Sequence, residues 1–221
     1  ALGLKILNDK FKTEEKDPMI DSNVFVLAGD GCMMEGVSSE ASSFAGHLNL
    51  DNLILIYDSN DICLDGPTSE CVSEDVKLRY ESYGWFVQTI NGHSFQLLQS
   101  AIEKAKATSK PSLIIAKTTI GKGSPTYEGT SEVHGKPLGN EEVLRVKSTM
   151  GIPESPDFYI PSEVKFHFEA QELKQKKNYL NWQEGYYNWR GKNLSLADLI
   201  DQFSAPVDEK DLDDYLNELE I

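Results

Sequence analysis

Four short runs of β-branched, aromatic and aliphatic residues punctuate the first half of the chain, at 24–28, 53–57, 85–90 and 112–116. Each is too short for a helix of ordinary length and has the composition of a strand. Between them lie helical patterns at 34–47, 74–83 and 95–108, the last placing Phe95, Leu98, Ile102 and Ala105 on one face. Strand, helix and strand repeated in this order predict an α/β fold: a parallel sheet with helices on both faces. An opening helix is expected from Leu4, Leu7 and Phe11, and with no cap before it the chain reads as starting inside that helix, with material upstream.

In sheets of this class ligands bind beyond the carboxyl ends of the strands, so the segments after Ala28, Tyr57 and Ala116 are where chemistry is expected. The third of these, 118–140, is long, rich in glycine and without helical or strand period, as functional loops are. Beyond Met150 the texture changes to prolines (Pro153, Pro156, Pro161) and then a polar, lysine-rich helical stretch from Ser162, read as an N-cap, to about Arg190. The expected organisation is an α/β domain at 1–150 that lacks its first part, a helical extension at 151–192 and an acidic linker at 193–221.

Charge and cysteines narrow the function classes. The net charge is −15, with nine acids and one base from Asp198 onward, so the body is only mildly acidic. Such a surface repels phosphate backbones, and neither nucleic acid nor a membrane is expected as partner. No 18-residue apolar run occurs and no signal peptide opens the chain. Three cysteines, none in CxxC spacing, fit a reducing, cytoplasmic setting.

The first strand runs into Gly29-Asp30-Gly31-Cys32-Met33-Met34-Glu35-Gly36, and the second ends at Tyr57-Asp58-Ser59-Asn60. Adjacent parallel strands would bring the Asp30 carboxylate and the Asn60 amide oxygen around one point. Both are hard oxygen ligands, suited to Mg²⁺ or Ca²⁺. Gly29 is expected to permit a sharp exit from the strand, and Gly31 to leave backbone N–H groups bare for a phosphate. Ile62, two residues past Asn60, is the natural source of a backbone carbonyl for the cation. Gly-Asp-Gly alone is only a turn; with a strand before each part, a helix after the first and Asn at this distance, the pattern resembles the thiamine-diphosphate fingerprint.

The blocks GDGCMMEGVSSEA, LILIYDSNDICLDGPT, RYESYGW, KPSLIIAKTTIGKGSP and VHGKPLG, in this order, resemble successive signatures of transketolases. The resemblance implies the diphosphate-binding domain of a homodimeric enzyme that binds thiamine diphosphate between subunits and acts on sugar phosphates. It implies Asp30, Asn60 and Ile62 as metal ligands, Gly29 and Gly31 beside the diphosphate, and Ile120 as an apolar neighbour of the cofactor. His134 and Glu35 are then the catalytic candidates: His134 contacts the diphosphate and substrate, and Glu35 reaches the subunit interface, linking the two active sites. It further implies that this chain supplies only the diphosphate and metal half of the site and is inactive alone. Cys32 reads as a small packing residue, His47 and His93 as structural, and Asp61 as added charge beside the metal. A related 1-deoxyxylulose-5-phosphate synthase, which usually lacks Cys-Met-Met-Glu-Gly after GDG, and an inert or split-subunit binding module are the competing readings.

Overall fold

The computed structural model describes residues 1–12, 21–64 and 66–206. They form two compact units, one from Ala1 to Tyr159 and one from Ile160 onward. In the first unit α1 (Leu2–Phe11) precedes β1 (Val24–Gly29), α2 (Asp30–Met34), α3 (Gly36–His47), β2 (Leu53–Ser59) and α4 (Val76–Ser82). Then follow β3 (Phe86–Asn91), α5 (Phe95–Lys106), β4 (Ser112–Lys117) and α6 (Asn140–Met150). The sheet is wholly parallel in the order β1-β2-β4-β3.

Both faces are covered, as the strand–helix alternation predicts. On one face Leu55, Tyr57, Leu113 and Ile115 pack with Met33, Ala45, Tyr80 and Trp85 from the α2–α4 side. On the other, Ile54 and Ile114 meet Ala101 and Ala105 of α5. Successive β4 residues serve opposite faces, which is why Leu113, Ile114 and Ile115 can be consecutive and all buried. The small residues Ala101 and Ala105 set the α5 contact; Phe95, expected on that face, is the first residue of α5 and 84% exposed. Among the described residues the outer strand β1 pairs only with β2, and Leu27 is 77% exposed.

Several boundaries differ from expectation. The pattern read as one helix at 34–47 is two: Glu35 adopts an extended conformation (ψ 135°) and its carbonyl accepts the N–H groups of Ser38 and Ser39, restarting the helix. α4 begins later than expected because Asp75 caps it, its carboxylate accepting the Leu78 N–H at 3.1 Å. Helix α6 was not legible as an element; it begins after Gly139 (φ 80°) and ends on left-handed Gly151.

The second unit is a helical pair, α7 (Ser162–Lys192) and α8 (Leu194–Ser204), clamped by Arg190, whose guanidinium donates to both Asp201 oxygens at 2.9 and 2.5 Å. Ser162 is the first helical residue and no N-cap. Pro161 takes that position, its carbonyl accepting from Val164 and Lys165. Residues 193–206 of the expected linker thus include α8, and 207–221 lie outside the described residues.

Candidate functional site

The ends of β1 and β2 lie side by side, Gly29 opposite Asp58. This brings Asp30, Asn60 and Ile62 into one hydrogen-bonded series. The Asn60 backbone N–H donates to Asp30 Oδ2 at 3.0 Å, and the Asn60 Oδ1 accepts the Ile62 N–H at 3.0 Å. Asp30 opens α2 and is 4% exposed. Its other oxygen, Oδ1, accepts the Tyr57 hydroxyl at 2.5 Å. Burial first, and then the bond to Asp30, push the Tyr57 phenol well above its ordinary value, so it remains a protonated donor.

Among the described residues no lysine, arginine or histidine pairs with Asp30, whose donors are both neutral. A carboxylate so buried is costly without a countercharge, which a divalent cation would supply. Each Asp30 oxygen has a lone pair left after its hydrogen bond, as does Asn60 Oδ1. Among the described residues no three His, Cys, Asp or Glu side chains gather around one point. The protein therefore offers an incomplete oxygen shell, the kind a cation completes with an anionic ligand and water.

The expected reason for Gly29 does not hold. Its φ of −96° is open to any residue. What glycine provides there is space, since an added Cβ would meet nothing within 4 Å. At Gly31 the Cβ would touch Cys63 Sγ at 3.6 Å, so Cys63 is the cysteine against this turn. Cys32, expected to pack, is exposed. Asp61, expected to add charge beside the cation, is paired with Lys117 at 3.2 Å.

The long loop after β4 is tied to this site at its root. Thr118 donates its N–H to the Ser59 carbonyl at 3.1 Å and its hydroxyl to Asp58. His93, structural as expected, reaches the same place: its Nε2 accepts the Thr119 N–H at 2.8 Å. Ile120 follows, half-buried. The turn carrying His134 packs back on this root through Val133, whose methyl would lie 3.0 Å from a Cβ on Gly121 (φ 63°). His134 is half-buried, and its Nδ1 is shielded from water without a hydrogen-bond partner. Glu35 stands apart, exposed at the α2–α3 break.

The motif blocks contain Tyr57, Ser59 and Lys117 but give them no role, and the structure places all three beside Asp30; Glu142, outside every block, anchors the long loop instead. Glu142, 5% exposed, accepts the Ser124 hydroxyl at 2.5 Å and the Thr126 N–H and hydroxyl, each at 2.9 Å. The Ser124 bond first, with those from Thr126 and the charge of Arg145, holds its carboxyl below the ordinary range against the opposing effect of burial. A depressed folded pKa stabilises the loop above the unfolded pKa, and that support is lost as pH falls through the folded value. In Glu142→Ala the Thr126 amide is expected to exchange hydrogen about tenfold faster or more at neutral pH. Exchange read by NMR checks this; wild-type protection in the variant would remove Glu142 as the anchor.

Comparison with known proteins fits this geometry. The family model described as "Transketolase, thiamine diphosphate binding domain" matches residues 1–206. This chain belongs to the transketolase family. The transketolase of Physarum polycephalum is 41% identical over 215 residues, which take in 96% of this chain and 32% of the relative. A solved transketolase variant from Pichia stipitis matches with a TM-score of 0.87 at 36% identity, over 94% of this chain and 31% of that one. A Pichia stipitis transketolase in complex with sedoheptulose-7-phosphate matches with a TM-score of 0.82 at 37% identity, over 88% of this chain and 30% of that one. The chain thus spans about a third of the length of these transketolases.

Proposed function

We propose that this chain forms the diphosphate- and metal-holding part of a thiamine-diphosphate-dependent transketolase, which moves a two-carbon ketol unit from a ketose phosphate to an aldose phosphate. The observation that carries the reading is the meeting of Asp30 and Asn60, a buried carboxylate without a countercharge among the described residues beside an amide oxygen already oriented by the Ile62 N–H. These two, with the Ile62 carbonyl, present oxygens to Mg²⁺ or Ca²⁺. Gly29 and Gly31 leave the turn bare for a diphosphate, and Ile120 offers apolar surface to the cofactor. His134 contacts the diphosphate and the substrate with a ring nitrogen that the protein leaves unpartnered. Thiamine diphosphate, when bound, supplies the carbanion chemistry.

Sugar phosphates as substrates are supported by the relative solved with sedoheptulose-7-phosphate. The pentose phosphate pathway is the corresponding metabolic setting. A homodimer with Glu35 at its interface follows from the family, and Glu35 is exposed as that role requires. A cytoplasmic setting is supported by free Cys32, Cys63 and Cys71. No helix among the described residues is long and apolar enough to cross a membrane. The domain division we favour keeps the α/β part to about residue 150, with helical extension and acidic linker beyond it.

The test is ketol transfer by the complete protein from xylulose 5-phosphate to ribose 5-phosphate in a coupled assay. Retained cofactor binding without transfer would return the inert-module reading. His134→Ala in the same protein is expected to lower kcat on the order of 100-fold. Its unfolding midpoint should stay near that of the wild type, because a half-buried loop ring contributes little packing. A wild-type kcat would leave His134 a loop histidine without chemical duty.

A further inference from the structure

Asp30 is oriented from two sides, and only one of them belongs to the fingerprint. Oδ2 takes the Asn60 backbone N–H, while Oδ1 takes the Tyr57 hydroxyl at 2.5 Å, the shortest contact Asp30 makes. Tyr57 and Ser59 alternate on one face of β2, both buried, at 6% and 2% exposure. Lys117 Nζ, on the neighbouring strand β4, donates to Ser59 Oγ at 2.9 Å. A cleft of about 480 Å³ opens beside Asp30, Tyr57, Ser59 and Lys117.

We propose that Tyr57 is a positioning residue for the cation: its hydroxyl, carried on a strand end that Lys117 pins through Ser59, fixes the Asp30 carboxylate in its ligating orientation. This rests on the reading of Asp30 as a metal ligand. A plainer role is available, since a buried tyrosine needs some partner for its hydroxyl. The two differ in what Tyr57→Phe does. If Asp30 merely satisfies Tyr57, the variant changes stability and leaves the cation alone. If Tyr57 orients Asp30, the carboxylate is freed to rotate and cation affinity falls, as when the outer partner of a metal ligand is removed.

The experiment titrates Mn²⁺ into the complete protein at a fixed excess of thiamine diphosphate, reading free Mn²⁺ by electron paramagnetic resonance, with the urea midpoint of each variant alongside. Tyr57→Phe is expected to raise the Mn²⁺ Kd about 10- to 100-fold. Ser59→Ala should shift it in the same direction by less. A wild-type Kd in folded Tyr57→Phe overturns the proposal, whatever the urea midpoint does. If Tyr57→Phe fails to fold, Ser59→Ala decides, and an unchanged Kd there overturns it equally. Asp30→Ala separates the two levels: wild-type Mn²⁺ binding by that variant removes the ligand reading and this proposal together. Weakened binding in Asp30→Ala with none in Tyr57→Phe removes only the positioning role.

Discussion

Asp30→Ala is expected to release thiamine diphosphate from the complete protein at magnesium concentrations that saturate the wild type, while leaving the apo fold about as stable as before. Two effects on stability oppose each other. Truncation leaves the buried Tyr57 hydroxyl and the Asn60 N–H without their acceptor, a cost of about 1–3 kcal/mol for each such group that water cannot reach. It also removes a carboxylate that is 4% exposed and lacks a protein cation, whose burial costs several kcal/mol in the absence of metal. The two terms are of similar size, so the urea midpoint should move little. Binding has no such compensation, because the cation loses a charged ligand, a larger change than the roughly 10- to 100-fold cost of losing an outer partner. Calorimetric titration of cofactor at fixed magnesium reads the result; an affinity equal to the wild type would end the metal assignment.

Gly46→Ala should severely destabilise the α/β unit, although helix propensity alone argues the reverse. Gly46 lies within α3, where alanine is favoured over glycine by about 1 kcal/mol. A Cβ there would sit 1.9 Å from the Tyr83 carbonyl oxygen, 2.9 Å from its carbon and 3.3 Å from Trp85 Cδ1. The nearest obstacle is backbone, at the end of α4, and it cannot swing aside as a side chain could. Relief requires moving α3 from the turn into β3, which also strains the bond from Trp85 Nε1 to the Ser42 carbonyl at 2.8 Å. Overpacking of this kind typically costs about 1–3 kcal/mol and more where backbone must shift, so the clash outweighs the propensity gain. Chemical denaturation of both proteins gives the sign directly; an equal or higher midpoint in Gly46→Ala would show that α3 yields more easily than its packing implies.

The strands, the parallel sheet and its two covered faces were legible because hydrophobic runs such as Leu53-Ile54-Leu55-Ile56 report burial on both sides without reference to anything distant. The Asp30–Asn60 meeting was legible for a related reason, since adjacent parallel strands fix where their ends lie. Side-chain partners were not. Tyr57 reads in sequence as one more apolar strand residue, and only its place opposite Asp30 gives its hydroxyl meaning. Asp61 looked like charge for the cation until Lys117, remote in sequence, was found beside it. Glu142 sat in a segment with no recognised element, and its value lies wholly in Ser124 and Thr126 across the loop. Phe95 failed for the opposite reason: helical periodicity names a face, but not which positions along it are covered.

The strand order also carries a history. β1 meets β2 across α2 and α3, and β3 meets β4 across α5, whereas β2 and β4 are joined only after the whole of β3 and its flanking helices have intervened. The Asp30–Asn60 contact closes 30 residues, while the Lys117–Ser59 contact closes 58. Each doubling of a loop adds about 0.6 kcal/mol of closure entropy, and non-local parallel pairing is slow to form. The two strand pairs are thus expected to form first and dock later along the β2–β4 seam. Asp30 and Asn60 come together within one half, but Lys117, which bonds Ser59 beside Tyr57, arrives only when the halves join. Tight cation binding would then mark the last stage of assembly, so that cofactor captured during refolding counts only chains that have closed the seam.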